Sequence, residues 1–168
     1  MPTLARCAAI LASAAAALSF AAAAASAAPA GNTGTTLVPL KNVLRTCDFS
    51  PTNSTLQAAR ADASVTSVIR AAGGKLTADV RLSDPSSPGT HYDVRLIQAP
   101  RGSQSPCGPG APGVTVGSLD SDGAGQASTT LQDGIGSGTT GAWVFVQRPG
   151  QFSQDPAEFY TSDFVAPV

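Results

Sequence analysis

Histidine occurs once in this chain of 168 residues, as His91. Glutamate occurs once, as Glu158, and lysine twice, as Lys41 and Lys75. These scarcities exclude a good deal. A serine triad needs a histidine, and the sequence G-x-S-x-G that presents such a serine is absent: Gly134-Ile135-Gly136-Ser137-Gly138 carries serine in the fourth place. His91 opens a strand-like run between Thr90 and Tyr92, which reads as an edge or surface residue and not as a catalytic base. A paired-carboxylate hydrolase needs two acids held close together, and neither Asp120 with Asp122 nor the lone Glu158 supplies such a pair by spacing. No glycine loop has the form G-x-x-x-x-G-K, nor G-x-G-x-x-G between a strand and a helix, so no phosphate cradle is expected. No cofactor and no metal are expected, and the chain reads as a non-enzyme.

Charge is equally uninformative of a polyanion partner. Ten basic and eleven acidic side chains are scattered along the chain, with no basic stripe to follow a phosphate backbone, so nucleic acid is not an expected partner. Long apolar runs are missing beyond residue 27, so no transmembrane segment is expected in the mature chain.

The first 27 residues stand apart. Arg6 is the only charge ahead of an alanine-rich apolar run from Ala8 to Ala25, and Ala25-Ser26-Ala27 puts small residues at −3 and −1. This is the pattern of a secretory signal peptide cut after Ala27. Cys7 precedes the apolar run, so it marks no lipid anchor and leaves with the signal. Residues 28–42 read as a flexible lead-in, and 43–168 as one domain. The expected location is secreted or cell envelope.

Loss of Cys7 leaves Cys47 and Cys107. Export favours a disulfide between them, closing a loop of about 60 residues. The pair is not C-x-x-C, as a redox dithiol usually is, and has no Cys or His neighbour to complete a zinc shell. It ties the opening strand, Val43 to Phe49, to Arg101–Gly113, a loop with no core residue of its own that is then fixed at one point.

Strand-like alternation fills most of the domain. Leu76, Ala78, Val80 and Leu82 alternate with Thr77, Asp79, Arg81 and Ser83. Val65 to Ala71 precede them across Gly73-Gly74, a two-residue hairpin signal. Tyr92, Val94 and Leu96 form another strand; Val114 to Leu119, Ala127 to Leu131 and Phe159 to Val165 suggest more. Ala142 to Val146 is continuously apolar, as a central strand buried on both faces would be. Ser54 could cap a helix, but Leu56, Val65, Val68 and Ile69 form no good helical stripe, so Leu56 to Asp62 reads as a strand. Seven to nine strands separated by turns fit an all-β antiparallel β-sandwich, immunoglobulin-like in broad shape. Trp143, Phe145, Tyr92, Phe159 and Leu96 are its expected core. If the strands around Arg81 and Arg95 pair, Asp79 and Asp93 complete a cross-strand charge ladder. Asp120-Ser121-Asp122-Gly123 reads as a turn, because a calcium loop counted from Asp120 would put Leu131 where its bidentate acid belongs. Asn53-Ser54-Thr55 matches a glycosylation acceptor but reads as a turn.

The run HYDVRLIQAPR, the following Cys107, and the ending GAWVFVQRP…EFYTSDFV resemble a group of small exported actinobacterial (mycobacterial-type) proteins of unknown function with one cysteine pair. The resemblance spans Val43 to Val165. It implies an exported β-sandwich and brings no catalytic residues. The expected function is a binding or interaction module whose partner is an envelope or extracellular protein or a wall component. An apolar-ligand carrier with a cleft near Trp143 and Tyr92, or a hydrolase with an unrecognised site, are the alternatives.

Overall fold

The computed structural model describes residues 34–52, 62–151 and 156–168. The expected signal peptide, the start of the lead-in and most of the strand expected at Leu56 to Asp62 lie outside the described residues; Asp62 itself sits in a turn. Nine strands follow one another: β1 Thr35–Lys41, β2 Ser64–Ala72, β3 Lys75–Ser83, β4 His91–Ala99, β5 Val114–Asp120, β6 Gln126–Gly134, β7 Gly141–Arg148, β8 Glu158–Ser162 and β9 Ala166–Pro167. The described residues contain no helix.

All-β and antiparallel hold, but the two-layered sandwich does not. The strands form a single sheet in the order β5-β4-β7-β8-β1-β2-β3-β6, with β9 added beside β7. The sheet curls until its two ends meet, giving a nearly closed barrel. At the seam, Leu131 of β6 packs over Gly117 of β5, where a Cβ would lie 3.5 Å from the leucine. Alternation along one strand shows which residues point inward. It carries no signal for whether the inward faces belong to two sheets or to one sheet rolled on itself.

The interior follows the period of two. In β3, Leu76, Ala78, Val80 and Leu82 are buried while their neighbours face outward. They join Val38, Ile69, Tyr92, Leu96, Leu119, Val144 and Tyr160 in one aliphatic-rich core. Gly73 and Gly74, with φ of 56° and 74°, make the tight β2–β3 turn that two left-handed residues allow.

Two expectations about the start of the domain are corrected. The second half of the presumed lead-in is β1, which lies between β2 and β8 and runs from Thr35 opposite Arg70 to Leu40 opposite Val65. Val38 and Leu40 alone carry its inward face, too short an alternation to stand out beside the small polar residues before it. Val43 to Phe49 is not a strand: it is a loop with one bridge, Arg45 to Pro51, and a turn around Phe49 at φ 72°. The charge ladder is corrected as well. β3 pairs with β2 and β6, and β4 with β5 and β7, so Arg81 and Arg95 stand on strands that are not neighbours. Asp79 instead meets Arg70 on β2 and accepts a bond from Thr130 on β6.

Gly125 closes the β5–β6 turn at φ 75°, and a Cβ there would fall 2.0 Å from the carbonyl oxygen of Asp84. Gly123, in the same turn, has open space around it. Gly125→Ala is therefore expected to lower the free energy of unfolding in urea by about 2 kcal/mol or more, and Gly123→Ala to change it by less than about 1 kcal/mol.

Candidate functional site

β7 is apolar without interruption because both of its faces are covered. Ala142, Val144 and Val146 point into the barrel, while Trp143 and Phe145 point out of it. On that outer face they meet Ile97 of β4 and Phe159 of β8 in a second, smaller core. Its cover is the pair of loops 42–50 and 101–113, which contribute Leu44, Cys47, Phe49 and Cys107.

Cys47 and Cys107 are joined by a disulfide, with their Cα atoms 5.5 Å apart. The bond lies over the Trp143 region and ties loop to loop, since the segment carrying Cys47 is not a strand. Phe49 meets Trp143 edge to face at 5.4 Å between ring centres, and the Arg45 guanidinium stands 4.1 Å from the centre of the Phe49 ring. Arg45 also donates to the Phe49 carbonyl at 3.1 Å. The indole N–H of Trp143 has no acceptor among the described residues, so packing alone fixes that ring.

Loop 101–113 is held at more than the one expected point. Arg101 donates from Nη1 to the Pro112 carbonyl at 2.8 Å and from Nη2 to the Pro106 carbonyl, clasping the loop from inside its own turn. The amide of Gln98 donates to the Gly113 carbonyl at 2.9 Å. The sequence signal for these bonds is absent, because a proline-rich loop shows no acceptor pattern until its carbonyls are aimed. The neighbouring glycine loop is pinned by the side chain of Gln98. It donates to Asp133 and to the Gly134 carbonyl, and accepts from the Gly136 amide and the Thr139 hydroxyl.

A second cluster went unseen in the sequence. Asp84, Glu158, Tyr92 and Tyr160 are all buried. The Tyr92 hydroxyl lies 3.1 Å from Asp84 Oδ2 and 3.5 Å from Glu158 Oε2, and Tyr160 donates to Glu158 Oε1. Arg148 Nε stands 3.3 Å from Glu158 Oε2, without hydrogen-bond geometry. Burial, with the Glu158 charge next, pushes the Tyr92 hydroxyl up to about 12. Burial and the bond to Glu158 push Tyr160 up as well. Both phenols therefore stay protonated at neutral pH and serve as donors to the acids. Asp84 is 0% and Glu158 2% exposed, so this acid pair is sealed from any external substrate in this conformation.

His91 is half-exposed at the start of β4. Its Nδ1 lies 2.7 Å from Asp120 Oδ1, on β5 directly across, and its Nε2 3.6 Å from Asp93 Oδ1. The bond to Asp120 raises the imidazole above its ordinary value against the opposing effect of desolvation, and the Asp120 and Asp93 charges add to the rise. Asp122 accepts the amides of Ala124 and Gln126 at 2.8 and 2.9 Å, so its carboxylate closes the β5–β6 turn. These amide bonds hold Asp122 below the usual carboxylate range. Among the described residues no three His, Cys, Asp or Glu side chains gather as a metal would need.

Compared with known proteins, the chain matches no family model, no curated protein and no solved structure.

Two outcomes follow from this geometry. Cys47→Ser releases the cover of the second core, so unfolding free energy should fall by about 2 to 4 kcal/mol and Trp143 emission should shift to the red; an unchanged emission maximum would show the cover stays in place unaided. His91 has its folded pKa raised, so its stabilising contribution is fully present below the unfolded value near 6.5 and lost as pH rises through the folded value. The stability gap between the wild type and His91→Gln should therefore be wider at pH 5.5 than at pH 8.5, as paired urea titrations would show.

Proposed function

We propose that this chain is an exported, non-enzymatic binding module of the envelope or the extracellular space, and that its recognition surface is the disulfide-stapled face over β4, β7 and β8. The observation that supports this most is the second core. An outward aromatic patch, Trp143 with Phe145 and Phe159, is covered by two loops that a covalent bond holds together. Loops fixed on a rigid sheet are a common way for a fold to present a binding surface.

The barrel interior favours this reading over a carrier. Val38, Leu76, Ala78, Val80, Tyr92, Leu96 and Val144 are all 0% exposed, so side chains fill the space a ligand would need. A hydrolase is less well supported, because Asp84 and Glu158, the acids that share the Tyr92 hydroxyl, are buried. Export rests on the disulfide, which suits an oxidising compartment, and on the alanine-rich start of the sequence. Kinship with small exported actinobacterial proteins is part of the same proposal.

Gln104 and Pro109 stand exposed on the stapled loop. Replacing both with glutamate should weaken retention of an envelope partner on immobilised protein by about tenfold or more, while Arg81→Glu on the β3 face should leave it unchanged. Equal retention by all three proteins would remove the loop from the recognition surface.

A further inference from the structure

At the margin of the stapled face lies a groove of about 260 Å³, lined by Asp93, Val94, Arg95, Pro109, Val116 and Gly117. Pro109 belongs to the stapled loop; the others belong to β4 and β5. Arg95 and Val116 sit opposite each other across the β4–β5 ladder, so both side chains rise from the same outer face. Val116 is 48% exposed, an apolar side chain left open to solvent beside a cation.

Arg95 differs from most of the other cations among the described residues. Lys41 pairs with Asp163, Arg70 with Asp79 and Arg148 with Glu158, while Arg45 and Arg101 are spent on backbone carbonyls. The Arg95 guanidinium has no acceptor among the described residues. It is held 5.3 Å from the centre of the Phe145 ring, which fixes its position without using its N–H groups. The Asp93 charge acts on Arg95, but its oxygens make their contacts elsewhere: Oδ2 accepts from Gln147 Nε2 at 3.4 Å, and Oδ1 faces His91 Nε2 at 3.6 Å.

A positioned guanidinium with free N–H donors is complementary to a carboxylate, which it can take by two parallel bonds. Walls of valine and proline suit a compact apolar body attached to that carboxylate. We propose that this groove is a binding site for a small monocarboxylate with an apolar body of benzoate size. The proposal rests on reading the stapled face as a recognition surface and names the chemistry it takes at this margin.

Benzoate is the probe, titrated at pH 7 and constant ionic strength into ¹⁵N-labelled protein, with benzamide as its uncharged counterpart. Benzoate should shift the Arg95 Nε–H and the amides of Val116 and Gly117, with a dissociation constant of about 1 to 10 mM, the range open to so few atoms. Arg95→Gln should weaken it by about tenfold or more, Asp93→Asn should tighten it by removing the like charge, and Arg81→Gln should change nothing. Benzamide should bind more weakly than benzoate to the wild type, a comparison that needs no variant. Equal shifts from both probes, no shift at about 20 mM benzoate, or unchanged binding to Arg95→Gln would each overturn the site. Partner retention by the stapled loop is measured separately, so failure of one reading is distinguishable from failure of the other.

Discussion

A rolled single sheet has one interior, and β7 has two apolar faces. That mismatch is the constraint on which the rest of the structure depends. Ala142, Val144 and Val146 satisfy the interior, but Trp143 and Phe145 are left on the outside of the barrel. Aromatic side chains of that size bury so much area that leaving them in water would cost several kcal/mol. The chain answers with two loops, each too short of apolar residues to hold itself in place. Joining them through Cys47 and Cys107 removes the freedom that would otherwise let the cover lift away.

The cover is not a uniform lid. Phe49 and Cys107 sit on Trp143, while Phe145 lies further along β7 and receives Arg95 instead. Where the loop cover ends, a cation takes over the shielding of the aromatic patch. The margin of the second core is therefore the place where packing gives way to polar chemistry, with an exposed valine and a guanidinium side by side. The same arrangement that stabilises the outer patch creates a surface with recognisable chemical preference.

At the opposite extreme of polarity, Asp84 and Glu158 show how the fold buries two acids against hydroxyl donors. Two tyrosine hydroxyls donate to them, and the phenols are held protonated by the same burial. No element of the sequence brings these four residues together, since Asp84 follows β3, Tyr92 lies in β4, and Glu158 and Tyr160 lie in β8. The position of β7 between β4 and β8 brings Tyr92 near Glu158 and Tyr160, and the connection from β3 to β4 carries Asp84 to the same hydroxyl.

Period-two alternation in β2, β3, β4 and β6, the Gly73-Gly74 turn and the unbroken apolar run of β7 were legible in the sequence by itself, because each is a local property of consecutive residues. So was the pairing of Cys47 with Cys107, on the expectation that Cys7 belongs to a signal segment and takes no part. The tertiary structure alone decided that one sheet rolls into a near-barrel, that Thr35 to Lys41 is a strand inside it, and that Asp79 meets Arg70 and not Arg95. It alone placed the disulfide over an outer aromatic patch and left the Arg95 guanidinium over Phe145 with no hydrogen-bond acceptor among the described residues. The reason is the same in each case: strand neighbours, and the surfaces that loops come to cover, are set by contacts between residues far apart in the chain, and a short run of amino acids carries no record of which distant run will lie beside it.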